Sequence, residues 1–143
     1  MELRPGQKAC KPYYFDAAGI MAYSRAAGDL NPLHLDPDAA RLSRFGALIA
    51  SGAQMSGVLM GFAATMLSQQ GEAIGLEFTF SFLKAIPAGT ETILVWTVTD
   101  VVPGTISGRF TVTCTGEIVG SDGTRHVSAS GKAMVADKRA VTE

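Results

Sequence analysis

Histidine and cysteine are scarce in this chain, with two of each among its 143 residues. Cys10 and Cys114 lie far apart and show no CxxC spacing, so neither a zinc site nor a redox pair is expected, and no metal site is read from the sequence. Both cysteines are expected as small buried hydrophobes. Charge is thin as well: 17% of residues are charged and the formal net charge is −1. This gives no general attraction to nucleic acid or to anionic membranes. No run of basic residues interleaved with aromatics suggests a nucleic-acid surface either. Ser, Gln and Gly interrupt the apolar stretch from Leu48 to Leu67, so no run approaches the ~18 residues of a membrane span. The opening Met1-Glu2-Leu3-Arg4-Pro5-Gly6 lacks the basic-then-apolar pattern of a secretory signal. A cytoplasmic protein with no membrane or nucleic-acid partner is the expectation. Internal repeats and low-complexity segments are missing too.

What is present suits one globular domain over 1–143: a hydrophobic content of 47% is enough for a proper core. Lys8 to Phe15 reads as a strand or extended arm. Asp16 is placed to cap a helix ending near Gly28, with Ile20, Tyr23 and Ala27 at helical spacing. Asp36 followed by Pro37 starts a short helix to about Leu42, and Phe45-Gly46 breaks it. Ser51 is placed to cap a long helix to about Gln70. That helix is apolar nearly all round, which requires cover on most sides. Gly57 and Gly61 would let another backbone come close. The same spacing occurs in membrane helix dimers, against which the polar interruptions argue.

From about Gly75 onward the pattern changes period. Leu76, Phe78, Phe80 and Phe82 alternate onto one face. Thr92 to Val102 is rich in β-branched residues, and Thr105 to Ile118 carries Phe110, Val112 and Cys114 in phase. Ser121-Asp122-Gly123 forms a hairpin-like turn into His126 to Val135, and Pro87-Ala88-Gly89 and Pro103-Gly104 mark other turns. Four consecutive strands with short turns predict an antiparallel sheet. One very apolar helix followed by such a sheet is buried only if the sheet curls around it. The fold class is therefore α+β, a curved antiparallel sheet wrapped around a long central helix. His126, beside a turn, is expected as a solvated strand residue without a role. The polar tail from about Asp137 is expected to be flexible.

Against this background one segment concentrates chemistry: Gly28-Asp29-Leu30-Asn31-Pro32-Leu33-His34. Asp and His held together can move protons near neutral pH. A spacing of five residues is too long for one helical face, and Gly28 and Pro32 argue for a loop of fixed shape. The residues alone leave a plainer reading open, since Asp and Asn beside Gly and Pro are ordinary turn formers.

The order of residues from Tyr23 to Asp36, with Gly28-Asp29-x-Asn31-Pro32-x-His34 at its centre, resembles the hydratase signature of the MaoC-like dehydratases. The likeness continues through Arg44-Phe45-Gly46 and Ile49-Ala50-Ser51-Gly52 into the long helix. It extends to Phe80-Ser81-Phe82-Leu83-Lys84 and Ala88-Gly89-Thr90. It implies the hotdog fold, and it places Asp29 and His34 as the catalytic pair and Asn31 as their support. It also implies that the Gly52 backbone N–H faces the thioester oxygen. Where many active members carry His-Gly, this chain has Ser51-Gly52, which leaves the donor and puts the acyl substrate in question.

The implied reaction is reversible syn addition of water to a trans-2-enoyl thioester, giving an (R)-3-hydroxyacyl thioester. It needs no cofactor; acyl-CoA or an acyl-carrier-protein thioester is the substrate. Closeness to the loop makes Leu33, Phe45, Leu48, Met55 and Leu59 candidates to line the acyl pocket, and the resemblance implies that the Ser51 side chain lies near it. Lys84 and Arg109 are possible cations at its mouth. A two-fold homodimer is implied, with the site near the interface. Alternatives are a branched or dicarboxylic acyl-CoA of the mesaconyl type, for which Arg44 is the nearest cation, a non-catalytic acyl-thioester binder, and a thioesterase.

Overall fold

The β-branched and aromatic runs after Gly89 form the centre of the sheet. In the computed structural model, which describes residues 2–138, they alternate between buried and exposed positions as a pleat requires. The elements are β1 (Lys8–Phe15), α1 (Ala17–Ala26), α2 (Pro32–Leu35), α3 (Pro37–Arg41), α4 (Gly52–Ser68), β2 (Gly71–Phe82), β3 (Thr90–Pro103), β4 (Arg109–Gly120) and β5 (Arg125–Asp137). All strand pairs are antiparallel, in the order β1-β3-β4-β5-β2. The chain has the predicted α+β hotdog architecture, with α4 packed against β2, β3, β4 and β5.

The strand or extended arm expected over Lys8 to Phe15 is a strand, β1, paired along its length with β3. One point of the topology differs from the expected run of four consecutive strands. β2 does not pair with β3 but crosses to the far edge and pairs with β5. From that edge β2 packs against α4 more extensively than any other strand does.

The phase of β2 also differs. A register shift between Gly75 and Glu77 takes Leu76 out of the ladder. Such a bulge turns its side chain off the face of its neighbours. Leu76 is therefore exposed while Phe78 and Phe80 pack on the core. Phe82, at the strand's end, is half exposed.

The core is keyed by Trp96, which is completely buried. Phe78 meets it edge-on at 5.9 Å between centroids. Gly116 and Gly131 leave room for the two rings: a Cβ at either would stand within 2.7 Å of ring carbons. Trp96 Nε1–H donates to the Leu59 carbonyl of α4 at 2.8 Å, pinning the helix to the sheet. On α4, Gln54, Met55, Leu59, Ala63 and Leu67 face inward. Met60, Gly61 and Ala64 stay exposed, so the cover expected for this apolar helix is incomplete on one side.

The two helix glycines differ in use. A Cβ at Gly57 would lie 1.8 Å from the Tyr23 hydroxyl oxygen, so Gly57 admits a tyrosine tip from α1 rather than a backbone. Gly61 has nothing within 4 Å. Cys114 is buried as expected, but Cys10 is exposed, because it lies on the outward pleat of an edge strand. Asp137 closes β5 and its N–H donates to the Gly108 carbonyl at 2.7 Å, so the expected fraying does not begin there. The rest of that tail, 139–143, lies outside the described residues. No helix among the described residues is long and apolar enough to cross a membrane.

The glycines give a paired prediction. Gly61→Ala raises stability by about 1 kcal/mol through helix propensity. Gly57→Ala lowers it by about 1–3 kcal/mol through overpacking against Tyr23, and adding Tyr23→Phe recovers part of the loss. Urea midpoints measure all three; equal effects at the two glycines would refute the packing difference. For the cysteines, burial pushes the Cys114 thiol up to about 11, and the thiolate is the reactive form. At pH 8 an alkylating reagent is expected to modify Cys10 in the folded protein and to reach Cys114 only after denaturation.

Candidate functional site

The site starts where α1 stops. Gly28, at φ 72°, turns the chain out of the helix, a conformation that favours glycine. The Asp29 N–H then donates back to the Ser24 carbonyl at 2.9 Å. The buried Ser24 hydroxyl donates in turn to the Asp29 carbonyl. Asp29 Oδ1 accepts from Asn31 N–H at 3.1 Å, and Asn31 Oδ1 accepts from Leu33 N–H at 3.1 Å. These are consecutive side-chain turns of the kind Asp and Asn favour.

Asn31 thus caps α2, whose first residue is Pro32. The segment read as a loop contains one turn of helix. This resolves the spacing problem: Asp29 lies on the bend before the helix and His34 on the helix itself, so five residues bring the two side chains face to face. Asp29 Oδ2 stands 3.6 Å from His34 Nε2.

His34 is buried, and its Nδ1 is 2.7 Å from the Ile49 carbonyl oxygen. A carbonyl only accepts, so Nδ1 carries a proton and, in the neutral ring, Nε2 presents its lone pair to Asp29. The 3.6 Å gap is too long for a direct hydrogen bond. It suits a small bridging donor, so the pair can hold and deprotonate a water.

The same peptide that receives His34 leads into α4. Ile49 N–H donates to the Leu33 carbonyl at 3.1 Å, binding the strip before α4 to α2. On its other side, Ala50 N–H donates to the Ile86 carbonyl at 2.9 Å and Ala88 N–H to the Leu48 carbonyl at 2.8 Å. Ser51, completely buried, caps α4 by accepting from Gln54 N–H at 3.1 Å. The N–H groups of Gly52 and Ala53 then head the helix, where helical bonding supplies no acceptor and the dipole is positive. The Phe82 ring lies against Gly52: a Cβ there would meet two ring carbons at 3.2 Å.

The proposed pocket residues divide. Met55 and Leu59 belong to the main core, and Leu48 is buried. Leu33 and Phe45 are half-buried, with the exposed Arg44 guanidinium 4.6 Å from the Phe45 ring centre. The Ser51 hydroxyl, expected beside the acyl chain, is turned to its own helix as a cap. Arg109 pairs with Ala136 at the end of the sheet remote from Phe82, which pairs with Val127. Nine residue steps of β5 separate those partners, about 30 Å of strand, so Arg109 is not at the mouth of this site. Lys84 is exposed and lines a cleft of about 760 Å³ together with Tyr14, Glu91, Asp122, Thr124 and His126.

His126 is the residue that sequence reasoning misplaced. It is 6% exposed rather than solvated. Ile118 pairs with Val127 and Val119 with Arg125, so His126 is the extra residue of a bulge, and its ring turns inward. Nearby, the Thr124 N–H bond to Asp122 Oδ1 at 2.9 Å holds that carboxyl below its ordinary range, and His126 adds to the effect. Phe82 was also missed as a site residue; the one signal available was its place in Phe80-Ser81-Phe82-Leu83-Lys84.

Comparison with known proteins gives the same direction. The sequence model of the family described as "MaoC like domain" matches residues 3–118. An (R)-specific enoyl-CoA hydratase of Aeromonas caviae is 34% identical over 89 residues, 62% of this chain and 66% of that one. The solved (R)-hydratase of A. caviae involved in PHA biosynthesis superposes with a TM-score of 0.81 at 28% identity, covering 92% of this chain and 96% of that one. R-hydratase PhaJ1 of Pseudomonas aeruginosa, unliganded, gives 0.84 at 25% identity, covering 95% and 84%.

Removing the Asn31 cap tests how far it sets the local geometry. Asn31→Ala is expected to cost about 1 kcal/mol of stability, measured by urea unfolding. An unchanged midpoint would mean that Pro32 and the Ile49 contacts hold the turn without it.

Proposed function

The chain belongs to the MaoC-like domain family, and on that premise we propose that it catalyses reversible syn hydration of a trans-2-enoyl thioester of CoA or carrier protein to the (R)-3-hydroxyacyl thioester. The observation that carries the reading is the Asp29–His34 pair, 3.6 Å apart, with the histidine's other nitrogen committed to Ile49. Both facing groups are acceptors when Asp29 is ionised and His34 neutral. A water donating one hydrogen to each is held for attack at C3. Asp29 takes the water's proton as it adds, His34 orients the water and shares the transfer, and the proton is delivered to C2 on the same face.

Negative charge building on the thioester oxygen is met by the Gly52 N–H at the head of α4, strengthened by the helix dipole. Asn31 supports the pair by shaping its turn. Leu33 and Phe45 are the pocket candidates that remain outside the main core, and the Phe82 ring forms a wall beside Gly52. The acid–base chemistry uses side chains alone, so no cofactor enters; CoA is part of the substrate. We further propose a homodimer through β2, an edge strand on which Ile74, Leu76 and Phe82 are exposed, with Leu83 exposed just beyond its end.

The test is loss of enoyl-thioester absorbance with crotonyl-CoA. Wild-type hydration is expected to fall at least about a thousandfold in both Asp29→Asn and His34→Ala, roughly 4 kcal/mol of transition-state stabilisation. A wild type inert toward short, long, branched and carrier-bound enoyl thioesters, yet still binding acyl-CoA, would sink the catalytic reading in favour of a binder. Release of free thiol without alkene chemistry would make it a thioesterase.

A further inference from the structure

We infer that His126 is a positioning residue for the Asp29–His34 pair, acting through the segment from Leu83 to Ala88. The inference rests on the acid–base reading above. Its path is made of hydrogen bonds between named groups. His126 Nδ1 lies 3.3 Å from the Lys84 carbonyl oxygen and 3.1 Å from that of Ala85. Both oxygens only accept, so Nδ1 carries the proton and donates between them. The His126 carbonyl accepts from Leu83 N–H at 2.8 Å and Lys84 N–H at 3.2 Å. One residue thus grips this turn by main chain and side chain together.

The next residue, Ile86, is completely buried, and its carbonyl receives Ala50 N–H; two residues on, Ala88 N–H reaches the Leu48 carbonyl. Between Leu48 and Ala50 stands Ile49, the peptide that receives His34 Nδ1–H. The segment held by His126 is therefore the outer wall of the strip that sets the His34 ring. A displacement near 1 Å at a catalytic group can cost about a hundredfold in rate, so loosening this wall is felt at the pair although His126 touches no reacting atom. His126 itself is 6% exposed, so its ring is held in one orientation by the packing around it while its Nδ1–H reaches the two carbonyls.

The ring's two nitrogens separate this role from mere packing. Nε2 faces the other way, toward the Gly120 turn, where a Cβ on Gly120 would stand 3.1 Å from it. An asparagine places its amide nitrogen where Nδ1 stands. A glutamine reaches the Nε2 position instead, and a phenylalanine keeps the ring and loses the Nδ1–H donor.

The experiment measures kcat and KM with crotonyl-CoA, and amide hydrogen exchange at Ala50 by NMR, for wild type, His126→Asn, His126→Gln and His126→Phe. The Phe and Gln variants are expected to lose about tenfold or more in kcat with KM within about twofold, and to speed Ala50 exchange by about tenfold. The Asn variant stays near wild type on both readouts. The inference is overturned if kcat and exchange are unchanged in the Phe and Gln variants, or if Asn fails as badly as Phe. Should the Phe variant not fold, the Asn–Gln comparison decides alone. A wild type that hydrates no enoyl thioester would defeat the proposed function, whereas Ala50 exchange would still decide whether His126 holds the strip.

Discussion

The peptide unit of Ile49 is the constraint on which the site's geometry depends. Its N–H is spent on the Leu33 carbonyl and its carbonyl on His34 Nδ1–H. The first bond fixes where α2 lies against the strip that enters α4. The second fixes both the orientation of the imidazole and the nitrogen that keeps the proton. Because Ala50 is bound to Ile86 on the other side, the strip is held between α2 and the segment before β3 and cannot follow either one freely. Both His34 and the free N–H groups at the head of α4 inherit their positions from it, separated from Ile49 by bonds rather than by flexible side chains.

That strip is only as steady as α4, and α4 is held by the sheet. An apolar helix against an apolar sheet face is free to slide, because burial has no direction. Trp96 removes that freedom: its indole N–H reaches a single carbonyl, Leu59, and its ring fits over Gly116 and against Phe78. A directed hydrogen bond in a dry environment carries a high penalty for being unmade. The helix register, and with it the height of Gly52 relative to the Asp29–His34 turn, is thereby specified. The bulge in β2 contributes at the other end of the same argument. It lets Phe78 and Phe80 pack inward while the strand still delivers Phe82 to the helix start.

Much of this was legible in the sequence, and the parts that were not share a cause. Asp16, Asp36 and Ser51 each cap the helix they were expected to cap, because a short polar side chain before an apolar helical pattern has a local reason to be there. The curl of the sheet around α4 followed from the need to bury an apolar helix. The closeness of Asp29 and His34 was implied by the order of residues around them, although spacing alone argued against a shared face. Periodicity failed where one extra residue entered a strand. It puts Leu76 inside, and a place beside a turn puts His126 outside; the bulges at those positions reverse both. It could not place β2 beyond β5 either, since strand order is set by what the helix needs covered and leaves no local mark. Cys10 was misjudged because a small apolar residue on an edge strand can face either way.

The arrangement of the pair itself carries a physical argument about what it can hold. One carboxylate oxygen of Asp29 is occupied by Asn31 N–H, and the other faces His34 Nε2. With His34 locked by Ile49 as the Nδ1–H tautomer, two acceptors confront each other at 3.6 Å. Two lone pairs so placed repel unless a donor stands between them, and the only small molecule at high concentration with two donors is water. In the proposed reaction that water gives its proton to Asp29 as it adds, with His34 orienting it and sharing the transfer, and the unequal exposure of the two groups suits these roles. The buried imidazole keeps its place, and the partly open carboxylate adjusts.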